Sequence, residues 1–275
     1  MKYVYVLTAI DSVYYYAVQC SLSVWSLRYH NPHAYIVLVI DRATKSYLEN
    51  NYSSLISAVD EIKVIDSSDD FSPKSRSRFI KTSLRQNIDG NFLYIDSDTV
   101  IADSLENLNY FEAEIAATFD CNASGKVSHY MSEKLQSIGI KSHENYISYN
   151  GGVLLVKDTE NAHRFFNDWH QIWLNLYHKF GMEIDQVSFL IANHKNGDLI
   201  KELPGIYNCQ LPFKDSYHFL INAKIIHYIA DYHIDDSFPF KNKEFLNNIF
   251  LNGISEKIEN ILTDPKTSFL THNLI

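Results

Sequence analysis

Short runs of consecutive apolar residues, each about the length of a strand, alternate along the chain with stretches whose apolar positions recur at helical spacing. Residues 3–8, 35–40 and 62–65 are runs of the first kind, and each predicts a strand. Residues 13–28 are of the second kind and predict a helix, with Tyr14, Ala17, Val18, Ser21, Leu22 and Trp25 along one stripe. Asn31-Pro32 breaks the chain before the second strand, which ends at Asp41, and one helix is expected over 44–59. A strand–helix–strand–helix–strand order is the signature of a parallel sheet with helices on its faces.

Farther along, 75–86 predicts a helix carrying Arg76, Arg78, Lys81 and Arg85, and Asp89-Gly90 turns the chain into the next strand. Residues 114–119 form a strand ending in Asp120, 126–139 a partly helical excursion, and 147–156 a strand containing Asn150-Gly151-Gly152. Phe165, Phe166, Trp169, Ile172, Trp173 and Leu176 recur at helical spacing over 162–177, a core-facing stripe. A helix over 183–193 opens with Asp185-Gln186, and 224–229 is a late strand bearing His227. From 241 onward helical pieces alternate with Asn, Gly and Pro breaks. With no internal repeat or linker, the organisation expected is one domain, its main part over 1–240 with a helical extension, 241–275, packed on it.

The pattern centres on residues 92–100. Phe92-Leu93-Tyr94-Ile95 reads as a buried strand, and it stops abruptly at Asp96-Ser97-Asp98. In an extended segment alternate side chains share a side, so Asp96 and Asp98 are expected to point the same way. The carboxyl end of a central strand is where open α/β sheets bind ligands. Two acids that close repel unless a cation lies between them. Hard oxygen ligands suit Mg²⁺ or Mn²⁺, with substrate phosphates completing the shell, so the residues alone point to a metal–diphosphate site. A strand-end turn with solvated acids is the competing account. Each other candidate has a structural alternative as well. His227 is a ligand or a satisfied core histidine, and Arg78 a donor contact or part of a solvated helix face. Asn150 and its glycines form a site or a bulge, Asp185 serves a site or caps its helix, and Asp120 fits either account.

Composition narrows the function class. With 46% hydrophobic and 21% charged residues, the 275-residue chain is an ordinary globular protein able to build a sizeable core. A net charge of −9 argues against general nucleic-acid binding, which needs a basic face. Cys20, Cys121 and Cys209, scattered and odd in number, make neither a disulfide framework nor a zinc site, and a cytoplasmic setting is expected. No stretch approaches the ~20 apolar residues of a membrane span. The tail 241–275 holds four lysines and four acids, so it lacks the basic excess that draws a segment to anionic lipid. Its stripe of Phe245, Ile249, Phe250, Ile254 and Ile258 could still dock on a bilayer, a partner or the domain itself, the last being the default.

Several segments, in order, carry a family resemblance. They are the opening strand with Thr8-Ala9-Ile10-Asp11, the helix with Ser75-Arg76-Ser77-Arg78-Phe79, and Phe92 through Asp98. Ile101-Ala102-Asp103-Ser104-Leu105, Tyr149-Asn150-Gly151-Gly152-Val153-Leu154-Leu155 and Asp185-Gln186 follow. In these the sequence resembles the GT-A glycosyltransferases, most closely the family 8 type that includes bacterial lipopolysaccharide galactosyl- and glucosyltransferases. The resemblance implies a GT-A, Rossmann-like α/β fold: a mainly parallel central sheet flanked by helices, with a helical C-terminal portion. It implies a UDP-sugar donor held with Mn²⁺ (or Mg²⁺) by Asp96, Ser97 and Asp98, with His227 completing the metal shell. Thr8, Ala9 and Tyr14 would line the nucleotide pocket, Arg78 would lie near the diphosphate or sugar, and Asn150, Asp185 and Gln186 would face the transferred sugar.

The chain departs from the family after His227. The pattern there continues with a glycine and a diphosphate-touching lysine, whereas this chain reads Ile229-Ala230-Asp231-Tyr232-His233, with His233 as the candidate replacement cation. The resemblance also implies retention of anomeric configuration, a saccharide or lipid-linked saccharide acceptor, and bacterial surface-glycan synthesis at the inner face of the plasma membrane. Three rivals stand beside it. A haloacid-dehalogenase-like phosphatase would use Asp96 as nucleophile, Asp98 as general acid and Asp235-Asp236 as metal ligands. A nucleotidyltransferase would want a glycine- and arginine-rich loop after the first strand, which Thr8-Ala9-Ile10-Asp11-Ser12 does not offer. A non-catalytic UDP-sugar-binding relative is the third.

Overall fold

Apolar runs covered on both faces become the strands of one large sheet. The computed structural model describes residues 1–8, 14–68, 70–229 and 239–272. Its strands are β1 (Lys2–Leu7), β2 (Tyr35–Ile40), β3 (Glu61–Val64), β4 (Phe92–Ile95), β5 (Thr99–Ile101), β6 (Ile115–Phe119), β7 (Tyr149–Val156), β8 (Lys201–Glu202), β9 (Cys209–Gln210) and β10 (Ile225–His227). The helices are α1 (Tyr14–His30), α2 (Arg42–Asn51), α3 (Ser53–Ala58), α4 (Pro73–Thr82), α5 (Leu84–Asn87), α6 (His129–Ser137), α7 (Glu160–Phe180) and α8 (Asp185–Lys195). α9 (Tyr217–Leu220), α10 (Lys243–Asn252), α11 (Glu256–Thr263) and α12 (Pro265–His272) follow.

The main sheet has the order β3-β2-β1-β4-β7-β6-β8. β3, β2, β1 and β4 are parallel; β7 runs antiparallel to β4 and β6, and β8 parallel to β6. The chain leaves β1 toward β2 and β3 on one side and later returns to β4 on the other. The crevice at the carboxyl ends of β1 and β4 is therefore the topological switch point, where such sheets take ligands. Of a second sheet, β5-β10-β9, only β10 matches an expected strand, the late one over 224–229; β5 and β9 are only three and two residues long.

Along β1, Tyr3, Tyr5 and Leu7 face one layer while Val4 and Val6 face the other. The first layer is built on α1 and also takes in Leu246, Ile249, Ile258, Leu262 and Phe269 of the C-terminal helices. Phe245, Phe250 and Ile254 pack against it. The second is an aromatic slab of Phe165, Phe166 and Trp169 from α7 with Phe189 of α8, laid on Phe92 and Tyr94. Because both faces are covered, the strands read as continuous apolar runs rather than as alternation.

Three helices differ from expectation. The single helix over 44–59 is two, broken at Tyr52, whose φ of −151° and ψ of 54° are not helical. The side chains of Asn50 and Asn51 bond back to the carbonyls of Ser46 and Tyr47, while the Tyr52 ring stacks on Phe250. The helix over 75–86 starts earlier, at Pro73 with Ser72 as its cap, and breaks at Ser83. α7 extends past 177 to Phe180 and ends at Gly181, whose φ of 64° is the left-handed cap that favours glycine.

Candidate active site

Thr8 at the end of β1 and Asp96 at the end of β4 line one cavity of about 350 Å³, within the range of small-molecule sites. Asp96, Ser97 and Asp98 form the bend from β4 into β5. The carboxylates of Asp96 and Asp98 converge as expected, although the chain is bent at Ser97 and Asp98 rather than extended. β5 then pairs antiparallel with β10, setting His227 opposite Thr99, and the Tyr228 amide donates to the Asp98 carbonyl over 3.2 Å. Asp96, Asp98 and His227 each offer one ligand atom, and these atoms lie within 4.8 Å of one another. The Asp96 amide also donates to the Gly152 carbonyl over 2.8 Å, drawing β7 close. A Cβ on Gly152 would lie 2.8 Å from Asp96 Oδ2 and 2.9 Å from Asn150 Oδ1, and nearer still to the His227 ring. A side chain at position 152 would crowd Asp96 and the His227 ring, two of the three candidate ligands, and only glycine avoids this. Two carboxylates and an imidazole around such a space fit a hard divalent cation.

A polar chain holds the histidine. Asn208 Nδ2 donates to Asn150 Oδ1 over 2.9 Å, so its Oδ1 is left to accept from His227 Nδ1 at 3.0 Å. That arrangement assigns the proton to Nδ1 and turns Nε2 toward Asp98, 3.3 Å away. Asn150 Nδ2 in turn donates to Asp120 Oδ1 over 3.2 Å. Burial pushes the Asp120 carboxyl up, against the hydrogen bond from Asn150. Burial alone would push the His227 imidazole down, but the charge of Asp98 and its hydrogen bond outweigh burial and hold it up.

Opposite the acid pair, α4 and α8 close the floor with buried charges. Asp185 is gripped on both oxygens: Oδ1 lies 3.1 Å from Arg78 Nε and Oδ2 lies 3.2 Å from Lys81 Nζ. Burial raises its carboxyl, yet the charges of Lys81 and Arg78 prevail and hold it below the usual range. Lys81 Nζ also sits 3.5 Å from Asp96 Oδ1 and 5.0 Å from the centre of the Tyr94 ring. The Tyr94 hydroxyl donates to that same Asp96 oxygen. Burial, and then the Asp96 charge, push its phenol well above the usual value, which makes it a donor.

The sequence candidates Arg78, Ser97, Asn150, Asp185 and Gln186 line the same cavity as Thr8, Asp96, Asp98 and His227. Gln186 donates to the Tyr149 carbonyl and accepts from the Gly151 amide at 3.3 Å, so it also pins β7. Thr8 donates to the Pro73 carbonyl over 2.9 Å, tying β1 to α4. Asp41 caps α2 and pairs with Arg76 Nε at 2.8 Å. Ala9, His233, Asp235 and Asp236 lie outside the described residues, as does the side chain of Tyr14. Lys81, Tyr94 and Asn208 carry site contacts to which sequence reasoning gave no role. Two had a legible signal: Lys81 follows Arg78 by one helical turn, and Tyr94 shares a strand face with Asp96. Asn208 had none.

Solved structures share the fold. The galactosyltransferase LgtC, solved in complex with donor and acceptor sugar analogs, aligns with a TM-score of 0.57 at 16% identity, covering 94% of this chain and 99% of its own. The apo-form glycosyltransferase GlyE of Streptococcus pneumoniae gives 0.57 at 19% identity, covering 98% of this chain and 63% of that one. Mouse xyloside xylosyltransferase 1 gives 0.54 at 16%, covering 85% and 99%. No curated protein matches at the sequence level. The family model described as glycosyl transferase family 8 matches residues 6–232, a span that takes in the end of β1, the other strands of both sheets and every residue placed around the cleft. The chain belongs to glycosyl transferase family 8 and is a glycosyltransferase of GT-A-like fold.

Proposed function

We propose that this glycosyltransferase moves a hexose, galactose or glucose, from a UDP-sugar to a saccharide hydroxyl, with Mn²⁺ or Mg²⁺ held by Asp96, Asp98 and His227. The observation that carries this reading is the convergence of those three ligand atoms within 4.8 Å, beside a glycine whose missing side chain spares Asp96 and the His227 ring. Bound there, the cation would offset the charge that develops on the departing diphosphate. Thr8 and Ser97 line the nucleotide side of the cleft in this account, and Ala9, Tyr14 and His233 are assigned to the same role. Arg78 orients the diphosphate or sugar, and Asn150, Asp185 and Gln186 face the transferred sugar. Residues 1–240 make the catalytic portion and 241–275 its extension.

The chemistry of Asp185 bears on the mechanism. A carboxylate paired through both oxygens and held below its usual range is a weak nucleophile. Gln186 is neutral and already bonded to β7. A front-side displacement follows. The acceptor oxygen bonds to the anomeric carbon on the face from which the UDP oxygen leaves, the sugar–phosphate bond breaks, and the acceptor proton passes to the diphosphate. Configuration is retained. The phosphatase and nucleotidyltransferase alternatives give way to the family match. We infer a saccharide or lipid-linked acceptor in bacterial surface-glycan assembly in the cytoplasm, met at the inner membrane face. Among the described residues no helix is long and apolar enough to cross a membrane.

Screening sugar nucleotides for metal-dependent hydrolysis identifies the donor without knowledge of the acceptor. UDP-galactose or UDP-glucose should turn over with Mn²⁺ and stop with a chelator. Asp96→Ala and Asp98→Ala should each lower that turnover by roughly a thousandfold, the loss of several kcal/mol of charge stabilisation. Unchanged turnover in either variant refutes the assignment.

A further inference from the structure

The cation site proposed above shares one of its ligands with a cation the protein already carries. Lys81 projects from α4 into the floor of the cleft with its side chain only 5% exposed. Its Nζ lies 3.5 Å from Asp96 Oδ1 and 3.2 Å from Asp185 Oδ2, and the Tyr94 ring covers it at 5.0 Å. Tyr94 donates to Asp96 Oδ1 as well, so that oxygen is engaged twice from inside the protein. Asp96 Oδ2 is the atom beside Gly152, near the His227 ring. On this geometry Asp96 faces Lys81 with one oxygen and the candidate metal space with the other.

We propose that Lys81 is a resident counter-charge that competes with the divalent cation for Asp96 and leaves the cleft to take its metal tightly only together with the diphosphate. This rests on the sugar-transfer reading for the identity of both ligands. The physical reason is elementary. An ammonium a few ångströms from a metal ligand repels a second cation, and burial shields that repulsion poorly. The same ammonium attracts an incoming diphosphate, whose charge in turn favours the metal. Metal and nucleotide then bind with positive coupling, and by linkage each strengthens the other by the same factor. A buried lysine gripped by two carboxylates and a ring cannot swing aside to make room, so its charge is a fixed property of the site.

The test is three titrations on the whole chain without sugar: Mn²⁺ alone, read by electron paramagnetic resonance of the free ion, UDP alone, read by calorimetry, and Mn²⁺ in the presence of saturating UDP, which gives the coupling factor. In Lys81→Gln, which keeps a hydrogen-bond donor but no charge, Mn²⁺ alone should bind at least tenfold tighter. UDP alone should bind at least threefold weaker, and the Mn²⁺–UDP coupling factor should shrink. Lys81→Arg should restore wild-type values for all three. A merely structural role would weaken both ligands together, so that outcome, or Mn²⁺ affinity within twofold of wild type, overturns the proposal. Lys81→Met keeps the volume and is the second variant. Folding of either variant only when Mn²⁺ is present supports the proposal, because the metal then replaces the ammonium. Failure of both to fold at saturating Mn²⁺ overturns it. Mn²⁺ bound by Lys81→Gln but by the wild type neither alone nor with UDP would support the competition while contradicting the metal-dependent reading. UDP and Mn²⁺ bound by neither protein would overturn both.

Discussion

The aromatic slab under the sheet and the charged floor of the cleft meet at one residue, and they hold it in different ways. Trp169 of the slab donates from Nε1 to the main-chain carbonyl of Asp185 at 3.3 Å and to Ser188 Oγ at 3.1 Å. Trp173 donates to the Glu183 carbonyl at 3.2 Å. The slab thus fixes where α8 begins by packing and by bonds to the backbone. The side chain of Asp185 is held instead by Arg78 and Lys81, through charge. The contrast teaches that position and reactivity have separate sources here. Apolar packing is non-directional and sums over a large area, so it sets where an element sits. Charge acts on a few atoms over a few ångströms and sets what those atoms can do.

Substitutions separate the two sources, and the largest effect belongs to the slab. Trp169→Ala removes a fully buried indole and should cost about 3–5 kcal/mol of stability, read as a drop in denaturation midpoint. If instead the midpoint held and only UDP binding fell, the slab would be part of the site rather than its support. Gly152→Ala acts on the other side of the comparison. Its methyl would collide with Asp96, Asn150 and His227, so Mn²⁺ binding and turnover should fall about a hundredfold or more while the melting temperature changes little. Asn208→Ala, with its buried link to His227 Nδ1, should lower metal affinity by roughly 10–100-fold, the cost usual for losing a group that orients a ligand. Equal affinity would show that the His227 ring is oriented by packing alone.

The smallest effect lies far from both regions. Asp103 follows β5 and receives Lys224 at 2.9 Å and Lys266 of α12 at 3.3 Å. Burial pushes its carboxyl up, but the hydrogen bond from Lys224, the Ser104 amide and the two lysine charges outweigh burial and hold it at about 2, against an ordinary 3.8. A depressed carboxyl contributes stability that is fully present above its unfolded pKa and is lost as pH falls through the folded value. The stability slope it adds should therefore lie between pH 3.8 and about 2, and Asp103→Asn should flatten it in urea melts across that window. The group is 43% exposed, so solvent screening keeps the contribution to ~1 kcal/mol or less.

Much of the cleft was legible before folding, though unevenly. Phe92 through Ile95 could be read as a covered strand because every residue in it is apolar, and the abrupt stop at Asp96 marked its functional end. Arg78 and Asp185 were open between a solvated or capping role and a site role, and their 3.1 Å pairing inside the cavity joins them. The break at Tyr52 was missed because asparagine side chains and an aromatic stack, not a proline or glycine, end that helix. β5 and β9 were missed because segments this short carry no period.

The sequence by itself determined the strand–helix alternation, the pair of acids closing β4, the order of family segments and the apolar stripe of α7. All of these depend on residues within a few positions of one another, where backbone hydrogen bonding and side-chain period act. Only the tertiary structure decided that His227 would stand opposite Thr99, that Asn208 would orient it, and that Lys81 would share Asp96 with the cleft. Those contacts join residues distant in sequence. Register between strands and the packing of α4 beneath the sheet set them, and neither leaves a mark in any local stretch of chain.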